Sequence, residues 1–209
     1  MRPSSVLDLG PLVPRRGTPL ARPLARALLY LTRWRVESRP PDLAKTVLVF
    51  APHSSNWDFL VGVMCMFALD LKVSWLGKHT MFGWPWGGMM RWLGGIPVDR
   101  AAPGEMVDEI QRTFRSRERL WLGLAPEGTR STAGSWRSGF WRIAKAADVP
   151  MVIVSFDFAR REIVFAAPFE PTDDFEADRD ALQQIIADVT PRRAPPAQPI
   201  SESLSGDEP

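Results

Sequence analysis

Four short, largely apolar runs, Thr46–Phe50, Lys72–Leu76, Leu120–Leu124 and Met151–Phe158, most constrain what this chain can fold into. They lack the strict polar–apolar alternation of a strand with one wet face, and helical segments separate them. Such runs are strands buried on both faces, and their alternation with helices marks a mainly parallel sheet covered on both sides. Helices are expected at Trp57–Asp70, which is apolar nearly all round, at 103–117 with Met106, Ile110 and Phe114 inward, at Gly139–Ala147 and at roughly Asp173–Asp188. Glu162–Phe165 reads as a further strand, and Gly94–Arg100 as a turn entering a short one. The fold class is therefore α/β: a mainly parallel central sheet with helices on both faces, preceded by an amphipathic N-terminal helix.

A chain of 209 residues holds one domain with tails. Residues 1–19, rich in Pro and Arg, read as a flexible basic arm. Residues 20–36 read as an amphipathic helix, with Leu20, Leu24, Ala27 and Leu31 on one face and Arg22, Arg26 and Arg33 on the other. This is either a surface helix covering the core or a membrane-interfacial one, with Arg toward anionic headgroups and Leu and Trp34 toward the acyl boundary. Residues 37–190 form the folded domain, and 191–209 a disordered, acidic, Pro-rich tail. Up to residue 41 eight Arg stand against Asp8 and Glu37, whereas residues 170–209 hold ten acids and three Arg. A basic front end argues for a polyanionic neighbour. No zinc-ligand spacing, helix-turn-helix pattern or RNA-binding signature accompanies it, so a membrane surface with anionic lipids is expected, and no nucleic acid. No apolar stretch reaches the ~20 residues of a membrane span, and the first 19 residues do not resemble a signal peptide. The expected location is cytoplasmic, peripheral to the inner face of the membrane. Cys65, the one cysteine, reads as a small buried hydrophobe.

Three polar blocks lie beside the predicted strands, where sites assemble in open α/β sheets: His53–Asp58, Ile96–Arg100 and Pro126–Arg130. In the first, Ser55 and Asp58 have the spacing of a capping box. A helix turns about 100° per residue, so His53 and Asp58 meet only if the histidine sits in the loop before the helix and the acid in its first turn. Ser54 and Ser55 read as caps rather than nucleophiles. Taken alone, the other two blocks are turn residues and surface charges. The segment from Phe82 to Leu93 crowds large apolar residues around Gly83, Pro85, Gly87 and Gly88. It is either core or a contact for an acyl chain, with Trp84, Trp86 and Met90 the candidates.

Together these blocks resemble the glycerolipid acyltransferases, the lysophosphatidate (1-acylglycerol-3-phosphate) acyltransferase branch included. The resemblance rests on His53 followed after four residues by Asp58, on Gly95–Arg100 and on Pro126–Ser131, and covers about residues 45–160. A fourth block, Val149–Val154, departs from the family by carrying Ile153 where a second proline is usual. Long membrane helices before the histidine are also common in the family; here that region is the Arg-studded helix, so attachment is expected to be shallow. The resemblance implies transfer of a fatty acyl group from an acyl thioester, acyl-CoA or acyl-carrier protein, to the hydroxyl of a lysophospholipid such as lysophosphatidate, without metal or cofactor. It makes His53 the general base and Asp58 its orienting partner. It places Arg100, Glu127, Gly128, Thr129 and Arg130 around the acceptor phosphate, with Glu127 holding an arginine or an acceptor hydroxyl. Such chemistry needs a base for the hydroxyl proton and donors for the tetrahedral oxyanion; backbone N–H groups near Gly128 are candidates for the second. Lys78 and His79 are candidate contacts for the donor's phosphates. Acylation of a lyso-aminolipid or other phosphate-free lipid hydroxyl, and non-catalytic lipid binding, are the alternatives.

Overall fold

The computed structural model describes residues 9–98, 103–127 and 136–193. In chain order its strands are β1 (Arg35–Val36), β2 (Lys45–Phe50), β3 (Val73–Lys78), β4 (Gly95–Val98), β5 (Leu120–Leu124), β6 (Met151–Asp157) and β7 (Glu162–Phe165). Its α-helices are α1 (Ala21–Leu31), α2 (Asn56–Ala68), α3 (Gly87–Trp92), α4 (Pro103–Ser116), α5 (Gly139–Ala147) and α6 (Phe175–Ile185), and a 3-10 turn covers His79–Phe82. The strands form one sheet in the order β1-β7-β6-β2-β5-β3-β4. All pairs are parallel except β6 with β7. From β6 to β4, therefore, the carboxyl ends of the strands share one edge of the sheet, with β2 well inside it.

Each central strand feeds both faces, as the unbroken apolar runs require. Leu48, Val152, Val154 and Trp121 pack with α1 and α2 on one side. Val47, Val49, Leu120, Leu122, Met151 and Ile153 meet α4, α5 and α6 on the other, where Ile110, Phe114, Phe140, Ile143 and Leu182 are buried. On the first side the ring of Phe50 lies on Gly123: a Cβ there would come within 2.4 Å of it. Among the described residues no helix is long and apolar enough to cross a membrane.

Several expectations are corrected. Residues 9–19 are not a loose arm. Leu9 and Val13 are buried in the α1/α2 core, and the chain bridges alongside Leu71, with Arg16 N–H donating to the Asp70 carbonyl and Lys72 N–H to the Pro14 carbonyl. The two faces of α1 are as read, but Arg22 and Arg26 turn toward the protein, while Arg33 lies beyond the helix and is exposed. Arg22 pairs with Asp70 at 3.1 Å, and Arg26 Nε donates to the Ala68 carbonyl at the end of α2. Leu20, Leu24, Leu28 and Leu31 consequently point outward. Trp34, expected at the acyl boundary, is buried edge-on against Phe158. Helix α2 is not enclosed all round: the sheet and α1 cover two of its sides, leaving Trp57 and Leu60 exposed. Residues 191–193, read as part of the tail, are docked on the domain.

Candidate active site

At the end of β2 the chain turns through a cis Ala51–Pro52 peptide and reaches His53 before α2 begins. Ser55 is the N-cap: its hydroxyl accepts from Trp57 N–H, and Asp58 closes a capping box. The Asp58 carboxylate accepts from Ser54 N–H at 2.7 Å and from Ser55 N–H at 2.6 Å. Two backbone donors just ahead of the helix, with the positive end of its dipole behind them, suit a buried carboxylate. Asp58 is only 1% exposed on its side chain, and His53 Nδ1 stands 3.7 Å from its Oδ2. That is an ion-pair separation rather than a formed hydrogen bond; such contacts commonly tighten when substrate binds. With Nδ1 toward the carboxylate, Nε2 is the ring nitrogen left to take a proton. The histidine side chain is 22% exposed, so it is accessible from the carboxyl edge.

Glu127 approaches from the neighbouring strand. Because β5 lies beside β2, the turn after β5 brings this buried acid under the histidine loop, where its Oε1 accepts from His53 N–H at 3.2 Å. Burial pushes its carboxyl above the ordinary 4.5 and the charge of Asp58 adds to the shift, while bonds from its own and His53's backbone N–H oppose it. From the sequence Glu127 was expected to hold an arginine or an acceptor hydroxyl; the backbone of the histidine is a further partner. A strand-to-strand neighbour of this kind is invisible to spacing along the chain.

Ser55 is buried in its cap, and Ser54 Oγ accepts from Arg193 N–H at 3.3 Å. Both serines therefore have roles that need no nucleophile. Burial pushes the Cys65 thiol up to about 12, leaving it inert as a nucleophile. Arg100, Gly128, Thr129 and Arg130 lie outside the described residues. The strand β4 ends two residues before the first of them, and Glu127 precedes the other three. Lys78 and His79 are exposed where β3 ends.

The aromatic segment 79–92 folds back over β3 and β4. The Phe82 ring lies on Gly77 and Gly95, where an added Cβ would fall 2.9 Å and 2.7 Å from it. With that ring as anchor, Trp84 is 96% and Trp86 63% exposed. Met90, the third candidate for acyl-chain contact, instead packs half-buried against the α1/α2 core. Met89 and Trp92 are exposed beside these tryptophans, and Trp92 stacks on Phe67 of α2. Of the large apolar side chains exposed among the described residues, only Leu12 and Ile185 lie outside α1 with its cap, α2 and residues 79–92. The sheet face carrying α1 and α2 thus presents an apolar outer surface, which is unusual for a freely soluble domain.

Residues 33–157, more than half of the chain, match the sequence family described as Acyltransferase. No curated protein matches the chain significantly. Among solved structures, the chain is similar to the crystal structure of the 1-acyl-sn-glycerophosphate (LPA) acyltransferase PlsC from Thermotoga maritima. The TM-score is 0.53 at 16% sequence identity, covering 79% of this chain and 75% of that one. At that identity the likeness is one of fold.

Proposed function

This chain belongs to the acyltransferase family, and from that premise we propose that it moves a fatty acyl group from a thioester to the hydroxyl of a lysophospholipid such as lysophosphatidate, at a membrane surface. The observation that carries the reading is the pairing of His53, at the carboxyl end of a central strand, with the buried carboxylate of Asp58 at 3.7 Å. Nε2 of His53 takes the acceptor's hydroxyl proton as that oxygen attacks the thioester carbonyl. Asp58 keeps the proton of Nδ1 in place and stabilises the imidazolium. The tetrahedral oxyanion then collapses, the C–S bond breaks, and the departing thiolate takes the proton back from Nε2. Glu127 supports this step indirectly, through the backbone of the histidine. The donor is acyl-CoA or an acylated carrier protein, and Arg100 with residues 128–130 is the acceptor-phosphate pocket that the family motifs imply.

The apolar outer face supports a peripheral mode of attachment, and the reading places it on the inner leaflet. Leu24, Leu28 and Leu31 of α1, Trp57 and Leu60 of α2, and Trp84 and Trp86 enter the interface, and the sheet's carboxyl edge then opens at headgroup level. The test is thiol release and mass-spectrometric detection of diacyl product with lysophosphatidate on vesicles. His53→Ala should lower kcat by about 10³-fold or more. Equal turnover of monoacylglycerol would move the acceptor to a phosphate-free lipid hydroxyl, and vesicle binding without any turnover would leave a lipid-binding protein.

A further inference from the structure

The family match ends at residue 157, yet a segment beyond it reaches the histidine. After α6 the chain crosses the sheet's carboxyl edge as a strap. Phe158 N–H donates to the Thr190 carbonyl at 2.9 Å, and the buried carboxylate of Asp157, at the end of β6, accepts from Thr190 N–H at 3.4 Å. Asp157 also holds Arg160 at 3.0 Å, whose guanidinium donates in turn to the Asp188 carbonyl. The strap ends with Arg193 N–H on Ser54 Oγ, one residue from His53. Just before it, the Arg192 guanidinium lies 5.9 Å from the Trp57 ring centroid and 6.0 Å from that of Phe158.

Aromatic faces hold a guanidinium in place without neutralising it. Among the described residues neither Arg192 nor Arg193 forms an ion pair, in contrast to Arg22, Arg35, Arg160 and Arg179. Both are exposed. Two cations with open donor forks, held at consecutive positions of the strap beside the His53–Asp58 pair, have the chemistry of an anion cradle. Their side of the site is informative as well. The strap reaches His53 over β6, whereas β4 and β5, the strands that precede in sequence the motifs read as the acceptor-phosphate pocket, lie on the other side of β2.

We propose that the strap is a phosphate-binding element of the active site, and that Arg192 and Arg193 hold a phosphate of the acyl donor's pantetheine arm on the β6 side of His53. The assignment to the donor rests on the acyltransferase reading; the phosphate site itself does not. Coenzyme A carries such a phosphate, as does a carrier protein's prosthetic group, so binding is measured directly with CoA, with 4′-phosphopantetheine and with phosphate-free pantetheine, and separately with lysophosphatidate and monoacylglycerol.

The full chain should bind CoA and 4′-phosphopantetheine, and Arg192→Gln/Arg193→Gln should weaken both by about tenfold. Pantetheine and both acceptors should be unaffected, and Arg192→Lys/Arg193→Lys should recover part of the loss. An unchanged melting temperature and circular dichroism spectrum would show that the double variant is folded. Weakening confined to lysophosphatidate would overturn the donor assignment. Unchanged affinity for every phosphate-bearing probe, or a wild-type chain that binds none of them, would overturn the site. His53→Ala separates the two readings, because it should keep wild-type CoA affinity while losing turnover. If CoA affinity depends on the arginines but no thioester is ever turned over, the strap stands and the acyltransferase reading fails.

Discussion

Asp58 has two tasks, and substitutions can separate them. Its Oδ2 accepts from two backbone N–H groups at the start of α2 and also faces His53 Nδ1. Asp58→Asn keeps an acceptor oxygen for the cap but loses the charge that, on the proposed mechanism, holds the imidazolium. It should lower kcat by about 10²-fold or more with a stability loss of about 1 kcal/mol. Asp58→Ala should match it in activity and lose more stability; thiol-release kinetics and calorimetry on the same samples check both. Glu127 gives a prediction in pH. Its carboxyl is shifted above 4.5, chiefly by burial, so the folded state holds its proton more tightly than the unfolded state does. The resulting stabilisation is complete below the ordinary value and is lost as pH rises through the folded one. Glu127→Gln should therefore gain stability relative to wild type as pH rises from below the ordinary value through the folded one. A difference in denaturation free energy that stayed constant over that range would contradict the shift.

Most major elements were legible in the sequence because the longer strands are apolar runs and α1, α4, α5 and α6 have one apolar and one polar face; α2 stood out as a long apolar segment, and the short α3 was not read as a helix. What pairing alone defines was not. Strand β1 is two residues long and exists through β7, and Leu9 and Val13 are isolated apolar residues with no period around them. For α1 the moment of the helix showed that two faces differ, but not which one the protein keeps; the carboxylate of Asp70 and the free carbonyl of Ala68 decide that by taking Arg22 and Arg26. His53 and Asp58 were readable through the capping box. Glu127's bond to the His53 backbone and the strap were not, since one depends on β5 lying beside β2 and the other has the composition of a tail. Two tests belong to this scale. Gly123→Ala sets a Cβ 2.4 Å from the Phe50 ring and should cost about 1–3 kcal/mol in denaturant unfolding. Trp84→Ser/Trp86→Ser leaves the core untouched, because both side chains are exposed. It should reduce vesicle partitioning by about tenfold or more, with a melting temperature like that of wild type.

Seen whole, the molecule uses its N-terminal region as structure as well as surface. Removing residues 1–36 would take Leu9, Val13, Ala25, Leu29 and Trp34 out of the α1/α2 core, so such a truncation should unfold the domain rather than merely release it from lipid. Attachment is better tested by outward substitutions such as Leu24→Ser/Leu28→Ser. Since Arg22 and Arg26 are engaged within the protein, binding driven by this face should extend to zwitterionic vesicles and depend only weakly on salt. On the proposed reading, the apolar face, the histidine–carboxylate pair on the adjoining sheet edge and the cationic strap beside it form one arrangement for acylating a lipid where it lies. The most direct measurement compares acyl transfer from acyl-CoA to lysophosphatidate on vesicles by the wild-type chain and by His53→Ala. Diacyl product from the wild type, falling by about 10³-fold or more in a variant that still folds and binds vesicles, is the predicted result; full turnover by His53→Ala would contradict the account.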